Sequence, residues 1–259
     1  LGQRIDGAPA FGAAAQLCRE TQALAVAPLP AGAPAAKPAR DCAALEAQGA
    51  EWSAVAAALS AYAAKLSELA GRDDPDVEDQ VNAALGAASA QQWTRLGEAQ
   101  NAAIAGLAKE IVKVLSLSYR AGVLDEVIGT MDPHVQRVAA LLRGEADLRL
   151  HEIEALDATV SQLIATYALL PVMPDADQTA VNQLVSQGSG AGLELLRRDL
   201  AARQRAYVEL RANVAAFGAA HAELAKNAGK LSAKELVPQV IGVAKAAVEV
   251  ANLTKRGPS

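Results

Sequence analysis

Apolar residues spaced seven positions apart constrain this chain more than any other feature of its sequence. The first run consists of Leu45, Trp52, Leu59 and Leu66, with further apolar residues interleaved between them. This alternation of three and four is the signature of long helices that pack along a seam, and it returns in three later segments. The sequence therefore predicts an all-α fold, an elongated antiparallel bundle of long heptad-patterned helices.

Proline content separates the N-terminal part of the chain from the rest. Four prolines between residues 27 and 39 forbid a continuous helix there and favour an extended, semi-rigid connector. We therefore divide the chain into an N-terminal helix with its Pro/Ala-rich linker, residues 1–40, and a helical bundle domain, residues 41–259. The short connections within the bundle make neighbouring helices antiparallel.

Capping signals place the helices of the bundle. Asp41 is a predicted N-cap, and Ser232 followed by Glu235 is a predicted capping box. An Asp-Pro pair begins at Asp74 and again at Asp132, and each pair is interpreted as a helix start. The predicted helices or helical seams of the bundle span about 41–70, 75–119, 133–170, 196–224 and 232–252.

Composition and charge exclude several classes of function. The net charge is -5, with 24 basic and 29 acidic residues mixed along the chain. Nucleic-acid binding is disfavoured because it needs clustered lysine and arginine, and attraction to anionic membranes is disfavoured for the same reason. The longest apolar stretch, 102–128, is interrupted by charged residues, so it predicts an amphipathic helix and no transmembrane segment.

The two cysteines flank the proline linker. Cys18 and Cys42 both lie outside the main seams, and an even count favours one disulfide that joins the N-terminal segment to the second helix. The alternative is two independent small residues in a reducing cell. Because the first residue is leucine, a signal peptide or lipid anchor that was removed upstream is compatible with the sequence.

Polar residues within the longest seam form the candidate binding site. Arg203 and His221 interrupt an apolar stripe that also carries Tyr207 and Phe217. Buried polar side chains cost free energy unless they are paired, and they often specify helix register. We favour a hydrogen-bonded core histidine with a snorkelling arginine. A polar layer that binds a ligand or senses pH is the functional alternative.

Other constellations predict no chemistry. His151 stands near Asp147 and Glu154 at helical spacing, but it faces away from the seam and is interpreted as part of a solvated face. The glycines of 188–192 lack the strand and the lysine of a phosphate-binding loop and are interpreted as a helix kink or flexible joint. No nucleophile elbow occurs. We predict no catalytic residue, metal or cofactor, and thus no enzyme.

One segment carries a family resemblance. It consists of Cys42, Leu45, Trp52, Leu59, Tyr62, Leu66, Leu69 and Ala70. Over about thirty residues it resembles the first long helix of helical-bundle proteins of the bacterial envelope, many of them lipoproteins, and its motif is mostly a heptad. The resemblance implies a periplasmic or envelope location and no activity, and it transfers no functional residue.

These observations favour a non-enzymatic extracytoplasmic module that acts as a scaffold, as a spacer or by binding another protein. Two alternatives stay open: a helical bundle that binds a small molecule or lipid, and a secreted effector or its immunity partner. Heptads are satisfied equally by helices of one chain or of several. A homo-oligomer therefore stays open as well.

Overall fold

The computed structural model describes residues 15, 16, 18, 19, 22, 41–69, 106, 107, 109, 123–169 and 189–255. Nearly all of these residues are helical and none of them belongs to a strand, which confirms the all-α prediction. The proline linker, the helix predicted over most of 75–119 and the segment before Ser189 lie outside the described residues. The division into parts at residue 40 therefore stays a prediction.

Four long helices make up the described bundle. They are α1 (Cys42–Leu69), α2 (Val123–Leu169), α3 (Ser189–Asn227) and α4 (Ala233–Lys255), and a 3-10 turn, Ala228–Lys230, joins the last two. Helix α2 has 47 residues. At 1.5 Å per residue it is about 70 Å long.

The helix starts predicted at Asp41 and Ser232 both have capping contacts, but only the Glu235 half of the predicted capping box forms, because the Glu235 backbone N–H donates to the Ser232 carbonyl at 2.9 Å. The Ala44 backbone N–H donates to Asp41 Oδ1 at 3.0 Å, which makes Asp41 the N-cap of α1. Before α4, the Ser232 hydroxyl and the Ser232 backbone N–H donate to Glu235 Oε2 at 2.7 and 3.0 Å. These contacts satisfy groups that would otherwise face water at the helix ends.

The start predicted at Asp132-Pro133 is wrong, because α2 begins at Val123 and continues through Pro133. Proline lacks a backbone N–H and crowds the carbonyl four residues earlier, here that of Gly129. Pro133 is exposed, and a Cβ added to Gly129 would meet nothing within 4 Å, so the ring lies on an open face. Burial of Ile128, Met131 and Val135 on both sides of the proline holds the helix together.

The glycine-rich stretch also differs from its interpretation. The residues from Ser189 onward lie in the first turn of α3, so Gly190 and Gly192 begin a helix rather than kink one. Glycine is a poor helix former. The apolar residues that follow, Leu193 and Leu200, are buried and compensate.

Each helix packs along one or two of the others. Helix α3 packs along α2 and also along α4, and α4 packs along α1, while α1 contacts α2 only lightly. Helices α2 and α3 are antiparallel: Asp132 of early α2 bonds His221 of late α3, and Asp157 of late α2 lies 3.9 Å from Arg197 of early α3. The core that results is long and narrow.

Seven-residue spacing accounts for the large apolar side chains in the core of α1, although every residue of 51–63 whose burial is described is buried. Trp52, Leu59 and Leu66 are at most 2% exposed, as are Val55 and Tyr62 from the interleaved positions. Because these residues share one face of the helix, they enter one core cluster with α2, α3 and α4.

Helix α4 bears on the prediction that no segment spans a membrane. Residues Lys234–Thr254 are long and apolar enough for a span by length and composition, the one such case among the described residues. A core helix that is mostly buried passes the same test, but 39% of this window is buried, including Leu236, Val240, Val243 and Val250.

Candidate functional site

A buried histidine joins three helices. The Tyr62 hydroxyl of α1 lies 2.9 Å from His221 Nε2 of α3, and His221 Nδ1 lies 2.9 Å from Asp132 Oδ1 of α2. Tyr62 and His221 are 0% exposed, whereas the Asp132 side chain is 27% exposed. We call these three residues the histidine bridge.

A glutamine fixes the aspartate of the histidine bridge. Gln136 Nε2 donates to Asp132 Oδ1 at 2.9 Å and to the Gly218 carbonyl at 2.7 Å. A Cβ on Gly218 would lie 3.3 Å from Gln136 Oε1 and 3.4 Å from the Ala139 Cβ. Glycine at this position therefore lets α2 and α3 approach closely enough for the contact.

The histidine bridge is satisfied when His221 is neutral. A carboxylate can only accept, so Nδ1–H donates to Asp132, and Nε2 then accepts from the Tyr62 hydroxyl. Burial lowers the pKa of His221 below its ordinary 6.5, although Asp132 acts in the opposite direction. Burial, and to a lesser extent the charge of Asp132, raises the pKa of Tyr62 well above 10. The arrangement therefore carries a phenol, a neutral imidazole and a carboxylate.

A second polar group lies further along the bundle and is built on an arginine. The Arg149 side chain, 3% exposed, donates to Glu145 and, at 2.8 Å, to Glu152, both on its own helix α2. It also donates to Gln48 Oε1 of α1 at 3.2 Å. Burial lowers the pKa of Arg149, but the two carboxylates more than offset this, so its pKa is raised.

Helix α3 contributes a second arginine to the same region. Arg203, 2% exposed, is paired with Asp199 one turn earlier. Tyr207 is 3% exposed, and burial raises its pKa strongly. The positive charges of Arg149 and Arg203 lower this pKa, whereas the negative charges of Glu145 and Glu152 raise it. We call this set the arginine layer; it consists of Glu145, Arg149, Glu152, Asp199, Arg203 and Tyr207.

The four residues predicted as one binding site lie at two levels. Arg203 and Tyr207 belong to the arginine layer. Phe217 lies beside the histidine bridge, with its ring centroid 6.3 Å from that of His221. Tyr207 and Phe217 are ten positions apart on one helix, or about 15 Å. His221 is hydrogen-bonded as the structural interpretation holds, but Arg203 is buried and paired rather than snorkelling.

Sequence reasoning missed Arg149, Asp132 and the pairing role of Tyr62. A signal for Arg149 existed, because it continues the seven-residue series 135, 142, 149, 156 and 163, whose other members are buried apolar residues. Asp132 had no such signal, since it was assigned to a helix start that does not exist.

Other candidate groups do not form a site. His151, Asp147 and Glu154 are exposed, and Asp147 is paired with Arg211 of α3 at 3.0 Å. Within the described part of the chain, no three histidine, cysteine or acidic side chains are grouped so that they could hold a metal ion. His134, the third histidine of the chain, is half-buried, and a Cβ on Gly106 would lie 3.1 Å from its Nδ1.

The predicted disulfide is present. Cys18 and Cys42 are bonded, which ties the N-terminal segment to the first turn of α1. Close by, Arg19 and Glu46 form an exposed ion pair at 3.2 Å. A disulfide of this kind is typical of proteins in oxidising, extracytoplasmic compartments.

No protein family, curated protein or solved structure matches this chain. A functional inference must therefore come from the two polar groups, the disulfide and the surface of the bundle.

Proposed function

We propose that this protein is a non-enzymatic helical module of the periplasm or cell envelope, which acts as a scaffold and binds another protein. One observation carries the proposal. Among the described residues, five side chains that could act in catalysis or binding are at most 3% exposed: Tyr62, His221, Arg149, Arg203 and Tyr207. Tyr62 bonds His221, and Arg149 bonds Gln48, across different helices. Such groups cannot meet a substrate without opening the bundle, but they specify which helices pair and in which register.

The disulfide supports the proposed compartment. Small thiols keep cysteines reduced in the cytosol, whereas secreted and periplasmic proteins retain their disulfides. An envelope location also agrees with the resemblance of the α1 sequence to envelope helical bundles.

The far end of the α2–α3 pair is the surface that we assign to the partner. Helix α4 has 23 residues, about 35 Å, and follows α3 after a short turn, so it runs back only to about residue 205. Helix α1 begins at Cys42 and reaches the level of Arg149 by Gln48. Neither helix covers the first turns of α3, where Leu195 is 63% exposed, the largest such value among the described large apolar side chains.

A pocket shared by Arg203, Tyr207, Phe217 and His221 is the weaker hypothesis. The structure divides these residues between two levels and pairs Arg203 and His221 with carboxylates. An effector or immunity role is a special case of partner binding and is distinguished by the identity of the partner.

Native mass spectrometry of the protein purified from its own host, without reductant, tests the proposal. We expect a complex with a second protein that is lost in Leu195→Asp. Val208→Asp is the matched control, because Val208 is 44% exposed on the same helix but lies within the covered stretch. A bare monomer in every preparation, or equal loss in both variants, would contradict the proposal.

A further inference from the structure

Helix α1 is held to the α2–α3 pair by polar contacts at two levels. It packs mainly on α4 and contacts α2 only lightly. Gln48 accepts from Arg149 at 3.2 Å, and Tyr62 bonds His221 at 2.9 Å. Gln48 and Tyr62 are fourteen positions apart, about 21 Å along α1. These two hydrogen bonds are the polar links of α1 to the α2–α3 pair, and they add to the apolar side chains of α1 that are buried in the shared core.

The Tyr62–His221 contact requires a neutral imidazole. A protonated His221 would carry hydrogen on both ring nitrogens, so Nε2 would have to donate to the Tyr62 oxygen. The Tyr62 hydroxyl hydrogen would then need another acceptor, but His221 is its one polar partner among the described residues. Tyr62 cannot lose this proton instead, because burial raises its pKa well above 10. A buried hydroxyl without an acceptor is costly.

The charged surroundings of His221 do not reverse this argument. From α2, Asp132 is the one described charge that acts on the pKa of His221, and it favours the proton, but burial outweighs it. From α1, Lys65 is engaged with Glu68 at 2.7 Å. The ionisable side chains of α4 before its last residue are all exposed: Lys234, Glu235, Lys245 and Glu249.

We propose that the histidine bridge is a pH-sensitive joint, which holds α1 to the α2–α3 pair while His221 is neutral and releases it when His221 is protonated. When α1 is detached, His221 loses the burial that lowers its pKa but still faces Asp132, so it binds the proton more readily than in the closed joint. The equilibrium constant for detachment therefore rises as the pH falls, by up to about tenfold per pH unit, between the pKa of the detached state and the lower pKa of the closed joint. This joint would add acid-responsive regulation to a scaffold, and it does not depend on the proposed partner.

Two measurements on the full chain test the joint. The protein has three histidines, so NMR titration of the ring signals can be assigned with His134→Gln and His151→Gln, which leave the bridge intact. We expect a midpoint for His221 below 6.5. The chain has two tryptophans, and Trp93→Phe leaves Trp52 as the single fluorophore of this kind. Because Trp52 is 2% exposed, its quenching by acrylamide then reports on whether α1 has separated.

We expect quenching of Trp52 to rise as His221 is protonated. The control His151→Gln should behave like the parent. His221→Gln should show no such rise between pH 7.5 and about 5. If His221→Gln does not fold, the titration and the quenching of the parent decide the question. A His221 midpoint at or above 6.5, or a Trp52 that stays protected after His221 is protonated, would overturn the proposal.

Discussion

Arg149 shows how a single residue can specify the bundle. It stands at a seam position, where an unpaired guanidinium would be strongly unfavourable. Glu145 and Glu152 on the same helix neutralise it, and Gln48 of α1 takes a further hydrogen bond. A buried pair adds little net stability compared with apolar residues, but removal of one member leaves a charge stranded.

Arg149→Met should therefore destabilise the protein by about 3–5 kcal/mol, since Glu145 would be left buried without its partner. Urea denaturation measures this as a lower midpoint at unchanged slope. Arg211→Met is the matched control, because Arg211 and Asp147 form an ion pair whose side chains are 47% and 51% exposed. Its cost should be below about 1 kcal/mol. Similar losses in the two variants would show that Arg149 is not effectively buried.

At the scale of elements, the ends of the helices are defined by a few local contacts. Asp41 caps α1, and the Ser232–Glu235 contacts open α4 immediately after the 3-10 turn. The disulfide adds a covalent tie at the start of α1. These contacts are short in sequence range, so local residue patterns predict them well.

The start of α4 should respond to acid. Hydrogen bonds from Ser232 lower the pKa of Glu235 below its ordinary 4.5. A lowered pKa in the folded state means that this contact stabilises the helix start above pH 4.5 and is lost as the pH falls through the lower value. NMR titration should find that Ser232→Ala moves the pKa of Glu235 upward, whereas Ser232→Thr, which keeps the hydroxyl, does not. An unchanged pKa in Ser232→Ala would contradict this assignment.

Loss of the disulfide should weaken the whole fold. Cys18 and Cys42 are 24 positions apart. Closing a loop of that length restricts the unfolded chain by about 3 kcal/mol in the chain-entropy account. The double variant Cys18→Ser/Cys42→Ser should lose about that amount in urea denaturation, and reduction of the parent should match it. If stability is the same with and without the bond, the N-terminal segment contributes nothing to the bundle.

The part of the molecule that the structure describes is organised by the antiparallel pairing of α2 and α3. Three contacts along this pair run from Asp132–His221 through Asp147–Arg211 to Asp157–Arg197. Their residue numbers rise on one helix as they fall on the other, which defines both direction and register. Helix α4 then packs along α3, and α1 packs along α4.

Cross-linking tests this register directly. Asp147→Cys/Arg211→Cys should be joined by a short bismaleimide, because the native side chains meet at 3.0 Å. Asp147→Cys/Arg197→Cys should not be joined, since Arg197 lies fourteen residues, about 21 Å, from Arg211 along α3. Mass analysis after proteolysis distinguishes the two cases. Cross-linking of the second pair in a monomer would show that the helices are paired in another register.

The fold class followed from the sequence because helical periodicity is local. Trp52, Leu59 and Leu66 share one face of any helix that contains them, whatever they pack against. The Asp132 prediction failed because the same local signals, an acid followed by proline, occur inside α2, where burial of the neighbouring residues outweighs the cost of the proline.

The sequence by itself determined that long amphipathic helices form, where two of them begin, and that Cys18 and Cys42 can pair. Only the tertiary structure decided that His221 meets Tyr62 and Asp132, and that Arg203 and Tyr207 belong to a separate layer beside Arg149. A heptad states which face of a helix is buried, but it carries no information on which partner lies opposite. Contacts between residues 159 and 89 positions apart depend on how the helices are arranged in space.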